Sequence, residues 1–171
     1  MADEFERRFL VNHVPSDFID PTEELVIDHY LPLASEHAQL RVRRKGSTFE
    51  ITKKLPAMNG ELSHMIETTI PLNEPEYQAL MLAPGKTLSK LRIRTLLQGA
   101  VAEFGEFQGE LAGLIILDVE FTDKAHMARF DPPEYVVAEI TNDKRFAGGE
   151  LCGKNFADIK VALSEYGYAS G

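Results

Sequence analysis

The sequence has no tryptophan and a single cysteine, Cys152. One cysteine excludes an intramolecular disulfide and a cysteine-rich zinc site, and it fits a reducing compartment. Long apolar runs are also missing. The longest, Leu111 to Leu117, falls far short of the roughly twenty residues that a membrane helix needs. The opening residues alternate in charge and do not read as a signal or transit peptide. There is no glycine-rich phosphate loop, no HExxH and no nucleophile elbow. Internal repeats, low-complexity stretches and linkers are absent as well. The five histidines (His13, His29, His37, His64, His126) show no ligand spacing and read as surface or loop residues. The expectation is a cytoplasmic, soluble globular protein whose chemistry is not carried by a familiar short motif.

What is present is charge, unevenly placed. The 171 residues fit one domain, 1–171, with 44% hydrophobic and 26% charged residues. Eighteen basic against 27 acidic residues leave a net charge of -9. Such a surface repels nucleic acid and anionic membranes, so neither is an expected partner. Yet Arg41, Arg43, Arg44, Lys45, Lys53 and Lys54 crowd one stretch, and Lys86, Lys90, Arg92 and Arg94 another. A locally basic, globally acidic chain points to a bounded anion site.

The pattern along the chain is strands with a few helices between them. Glu4 to Leu10 reads as a strand with Glu4, Glu6 and Arg8 on one face. Val14 to Glu24 is turn-rich, and Leu25 to Leu33 is a second strand. Gln39 to Lys45 and Thr48 to Lys54 form a hairpin around Gly46-Ser47. A turn at Met58-Asn59-Gly60 leads to a strand over His64 to Leu72. Asn73, with Glu76 as its capping-box partner, starts a helix that Pro84-Gly85 ends. Thr87 to Leu97, Ala100 to Phe107 and Ala112 to Phe121 read as three antiparallel strands. Thr122 caps a short helix, Tyr135 to Thr141 is a late strand, and Asn155 caps a last helix with Phe156, Ile159 and Leu163 on one face. Gly148-Gly149 reads as a turn.

The strand faces carry the functional signal. Arg41, Arg43 and Lys45 share a face, as do Lys90, Arg92 and Arg94, and so do Asp118 and Glu120. Two arrangements account for this. A one-sided antiparallel sheet would turn the charged faces to water. Closure of about eight strands into a barrel would instead gather them into a lumen just wide enough for side chains or one small ligand. Buried charges of both signs are costly unless paired or completed by a ligand. A polyanion held by arginines and, through divalent cations, by carboxylates uses both.

Here the residues resemble a known family. Glu4-x-Glu6-x-Arg8 is similar to the ExExK signature of the CYTH superfamily, the triphosphate tunnel metalloenzymes. Arg41-Val42-Arg43 resembles its RxR strand, Phe49 to Lys53 the strand with an inward lysine, and Glu67 its acidic strand. Lys90-x-Arg92 resembles KxR, Glu103 to Gly109 an acidic strand ending in glycine, Gly113 to Glu120 the GL…ExE strand, and Glu139 to Arg145 the closing EVTxDxR segment. The resemblance implies an α+β fold, an eight-stranded antiparallel β-barrel with helices packed on the outside. It implies a triphosphate substrate, Mg²⁺ or Mn²⁺ as cofactor and, by family analogy, a homodimer. It implies metal ligation by Glu4, Glu6 and Glu120, assisted by Asp118 or Glu103. Arg8, Arg41, Arg43, Lys53, Lys90, Arg92 and Arg145 would bind substrate, with Lys53 and Glu6 nearest the chemistry. Some members pair a tyrosine with the strand lysine; Tyr30 with Lys53 are the candidates here, but Tyr30 also reads as a barrel-end packing residue and stays outside the expected site.

The sequence departs from the pattern at three places. Arg8 replaces the signature lysine, Gly105 stands where an inward aspartate is expected, and Ile51 replaces a hydroxyl residue beside the lysine. Lys53 and Lys54 are adjacent on opposite faces, so a one-residue register shift would swap their roles. The implied activity is metal-dependent hydrolysis of a triphosphate, inorganic triphosphate first. Adenylate cyclase or thiamine triphosphatase activity, and a non-catalytic polyphosphate- or nucleotide-binding module, remain open alternatives.

Overall fold

The computed structural model describes residues 2–16, 21–36, 38–57 and 62–169; the expected turn at Met58-Asn59-Gly60 lies outside them. Nine strands are described: β1 (Ala2–Val11), β2 (Thr22–Leu31), β3 (Leu40–Lys45), β4 (Thr48–Pro56), β5 (His64–Leu72), β6 (Lys86–Leu97), β7 (Ala100–Phe107), β8 (Ile115–Phe121) and β9 (Val136–Glu139). Their order is β5-β4-β3-β2-β6-β7-β8-β1-β9, and β1 also pairs with β5. That last pairing closes the first eight strands into an antiparallel barrel, and β9 lies outside the ring along the far half of β1. β2 starts at Thr22, inside the stretch that reads as turn-rich.

Tight turns fix the registers. Gly46, at φ +52°, turns β3 into β4 so that Lys45 faces Thr48, Arg43 faces Glu50 and Arg41 faces Thr52. Directly opposed residues share a face. Gln98 and Gly99 both take positive φ, 50° and 78°, as a two-residue hairpin of this hand requires. The Gln98 amide holds that turn down by donating to the Asp131 carbonyl at 2.7 Å.

Helices α1 (Glu74–Met81), α2 (Lys124–Arg129), α3 (Gly148–Leu151) and α4 (Phe156–Glu165) cover parts of the outside and one end. Asn73 and Asn155 make full capping boxes with Glu76 and Asp158, satisfying backbone N–H groups that a helix start leaves free. The cap of α2 is Asp123, which accepts from the His126 N–H, and not Thr122. Tyr77, Leu80 and Met81 of α1 pack on Val42, Phe49 and Ile51. α2 and Phe130 cover Phe9, Phe104 and Val119.

The third core lies across one barrel mouth. Leu10, Tyr30, Leu88, Phe107 and Ile116 meet Phe146, Leu151, Ile159 and Leu163 there. These barrel residues lie on the inward faces, so the lumen is apolar at this end and closed by α3 and α4. The expected turn at Gly148-Gly149 is instead the start of α3, pressed against the barrel. A Cβ on Gly148 would collide with the Tyr30 hydroxyl, and one on Gly149 with the Ala38 carbonyl oxygen. Among the described residues no helix is long and apolar enough to cross a membrane.

Candidate active site

A cavity of about 220 Å³ lies inside the barrel, and Arg8, Arg41, Arg43, Lys54 and Lys90 line it together with Glu6, Asp28 and Asp118. Each of these five cations has a carboxylate partner. Arg43 donates to both Asp28 oxygens, from Nε at 2.5 Å and Nη2 at 2.7 Å. Arg8 donates to Asp118 Oδ1 at 2.7 Å, and Lys90 Nζ lies 3.6 Å from Asp118 Oδ2. Arg41 reaches Glu67 at 3.4 Å.

These pairs set the ionisation of the lumen. Burial alone would push the Asp28 carboxyl up, but Arg43, its hydrogen bonds, Arg41 and Lys90 hold it down to about 2. Burial likewise opposes ionisation of Asp118, and Arg8 and Lys90 hold its pKa far below the usual range. Burial lowers the Lys90 pKa despite Asp118. Tyr30 is pushed up by burial and by the Asp28 charge, so its phenol stays protonated at neutral pH. Arg41 Nε is buried with no hydrogen-bond partner. A donor buried in this way is costly to leave unmade and suits an anionic ligand.

Carboxylates gather toward the other end. Glu6 faces Glu120 directly across β1 and β8. Burial, then repulsion from Glu103, Glu4 and Glu6, pushes Glu120 up to about 7. Lys54 supplies the local positive charge, with Nζ 2.8 Å from Glu4 Oε2 and 2.9 Å from Glu6 Oε1. Burial opposes the Lys54 charge, but Glu6 and Glu4 outweigh it and raise its pKa. Apart from this ion pair, Glu4 Oε2 is buried with no hydrogen-bond partner. Among the described residues no three acidic, histidine or cysteine side chains stand as a ready-made metal shell. The donor chemistry nevertheless suits a hard divalent cation: several carboxylates, mutually repelling, one with an orphaned oxygen.

The expected residues fall into three groups. Glu6, Arg8, Arg41, Arg43, Lys90 and Asp118 line the cavity. Glu4, Glu103, Glu120 and Arg92 sit on inward faces toward the acidic end, where Arg92 ties Glu24 and Glu103 together. Lys53 and Arg145 are elsewhere, and both are corrections. Lys53 is exposed, opposite Leu40 and Thr68 on the outer face, while Lys54, opposite Glu67, points inward. The hairpin turn decides this, because Arg41 opposite Thr52 puts the even-numbered residues of β4 on the arginine face. With that register Thr52, 1% exposed, is the hydroxyl residue beside the inward lysine, and Ile51 is no departure at all. Arg145 lies on the surface, its guanidinium 2.7 Å from both Asp143 and Glu165.

Sequence reasoning missed Asp28 and Lys144 and left Lys54 as the residue that a one-residue register shift would bring inside; all three line the cavity. The two-residue turn at Gly46-Ser47 could have identified Lys54 by counting residues across the hairpin. Asp28 sits between Ile27 and His29 in β2, and no local signal marks it. The space that Gly105 leaves is taken by Lys90, whose Cδ would lie 2.8 Å from a Cβ there.

Fold and site together define a class: an antiparallel barrel whose closed lumen pairs a basic wall with an acidic end and suits a polyanion with a divalent cation. The family model of the CYTH domain matches residues 2–120. The chain belongs to the CYTH family. It is 30% identical over 150 residues to a Nitrosomonas europaea protein named inorganic triphosphatase, covering 86% of this chain and 95% of that one. It is also 30% identical over 94 residues to an inorganic triphosphatase of Acetivibrio thermocellus, covering 55% and 59%. A crystal structure of an inorganic triphosphatase superposes with TM-score 0.64 at 25% identity, over 89% of this chain and 95% of that one.

Proposed function

We propose that this protein hydrolyses inorganic triphosphate inside the barrel with the help of a divalent cation, Mg²⁺ or Mn²⁺. The observation that carries this is the cavity where Arg8, Arg41, Arg43, Lys54 and Lys90 converge with Glu6 and Asp118. Two relatives named inorganic triphosphatase support the substrate. The lone cysteine, buried and unbridged, fits a cytoplasmic place of action.

Glu4, Glu6 and Glu120 would hold the cation, with Asp118 or Glu103 assisting. When bound, it neutralises phosphoryl charge and acidifies a water nucleophile. Arg8, Arg41 and Arg43 offer planar forks to phosphate oxygens. Paired in advance with Asp118, Glu67 and Asp28, they need little reorganisation as negative charge spreads over the reacting phosphoryl group. Lys90 adds a point charge from beside Gly105. Lys54, not Lys53, would be the lysine of β4 that faces the substrate, its ammonium held in the lumen between Glu4 and Glu6. Tyr30, protonated, is a donor beside Arg41.

Purified protein is incubated with inorganic triphosphate, ATP and thiamine triphosphate, each with Mg²⁺ or Mn²⁺. Phosphate release from inorganic triphosphate is the expected result. Pyrophosphate with cyclic AMP from ATP would make it a cyclase, and tight binding without turnover a binding module. Glu6→Gln should lose turnover while its thermal unfolding curve stays that of a folded protein; retained activity would sink the metal-ligand assignment.

A further inference from the structure

One cation of the cavity wall differs from the rest. Lys144 lines the lumen at its capped end, yet its side chain is exposed and makes no hydrogen bond or ion pair among the described residues. Arg8, Arg41, Arg43, Lys54 and Lys90 all have carboxylate partners.

The local structure keeps Lys144 free. Its neighbour Asp143 is the obvious partner, but the Asp143 oxygens already accept from the Arg145 backbone N–H at 3.0 Å, from the Arg145 guanidinium at 2.7 Å and from the Tyr166 hydroxyl at 2.9 Å. Arg145 also takes Glu165. The backbone beneath Lys144 is fixed at both ends. Ile140 N–H donates to the Arg8 carbonyl at 2.8 Å and Arg8 N–H to Thr141 Oγ1 at 3.0 Å, while Phe146 is fully buried in the capping core. A turn clamped to the Arg8 strand thus holds Lys144 in the cavity lining with no carboxylate partner among the described residues. Holding a like-charged group free beside a basic wall is unfavourable until an anion arrives.

We propose that Lys144 is a substrate-binding residue, which contacts phosphate oxygens of inorganic triphosphate and adds a lumen charge that no carboxylate among the described residues offsets. Arg145 is its positioning residue, saturating Asp143 and Glu165 so that Lys144 stays unpaired. This rests on the triphosphatase reading above.

The test compares wild type, Lys144→Ala, Lys144→Arg and, as an exposed control on α4 outside the cavity lining, Lys160→Ala. KM and kcat are measured for inorganic triphosphate with Mg²⁺, and calorimetry measures the binding of inorganic triphosphate without metal. Loss of one charge-assisted contact should raise KM about tenfold in Lys144→Ala. The metal-free Kd should weaken to the same degree, with kcat within about twofold. Lys144→Arg should recover most of the affinity and Lys160→Ala should match wild type. Wild-type KM and Kd in Lys144→Ala, or a fall confined to kcat, would overturn the proposal and leave the triphosphatase reading standing. Wild-type protein that neither binds nor cleaves inorganic triphosphate would overturn both.

Discussion

Lys53 and Lys54 are neighbours with the same side chain and opposite surroundings. Lys54 contacts two carboxylates inside the barrel, and Lys53 extends from the outer face. If the lumen is the reaction site, Lys54→Ala should lower kcat/KM with inorganic triphosphate by about a hundredfold or more, as loss of a preorganised charge does. Lys53→Ala should stay within about twofold. Equal losses in the two variants would mean that the register of β4 is wrong. Most site residues were legible in the sequence because inward arginines and carboxylates alternate along β1, β3, β6 and β8. Lys53 was misassigned because two adjacent lysines offer no pattern of their own, and only the turn and the partner strand decide which is inside.

At the scale of elements, α3 shows how a short segment shapes the site. It can lie on the barrel mouth only because Gly148 and Gly149 carry no Cβ where Tyr30 and Ala38 approach. The two contacts differ in kind. At Gly149 the obstacle is backbone, which cannot rotate away, so Gly149→Ala should destabilise the fold by about 2 kcal/mol, read as a lowered urea midpoint at unchanged slope. An unchanged midpoint would mean that the segment is less closely seated. The capping boxes of α1 and α4 were legible as Asn-x-x-Glu and Asn-x-x-Asp. The packing of α3 was not, because a pair of glycines marks a turn as readily as a close approach.

The whole molecule is an ion-paired lumen wrapped in three apolar cores, and its acid stability reflects that. The Asp28 carboxyl, at about 2 in the folded chain, titrates near 3.9 when unfolded. A depressed folded pKa stabilises the protein above the unfolded value, and that contribution is lost as pH falls from about 4 to about 2. It amounts to about 2 kcal/mol. Wild-type stability should therefore fall over this window. Asp28→Asn, which leaves Arg43 buried without its counter-ion, should be less stable at neutral pH by about 3 kcal/mol. It should also show a smaller fall in acid. Parallel pH profiles of the two proteins by denaturant unfolding would refute the role of this pair.

The sequence by itself determined the alternation that makes one face of each strand charged, the helix starts and the family resemblance, because these depend on neighbours two to four residues apart. Tertiary structure decided what those faces meet. Closure of β1 on β5 turned eight charged faces into one lumen. The Gly46 turn selected Lys54, the α3 contact sealed one end, and Asp143, saturated by Arg145 and Tyr166, left Lys144 without a partner among the described residues. Charge pairing across a barrel depends on which strands lie side by side, and that adjacency is a property of the closed sheet.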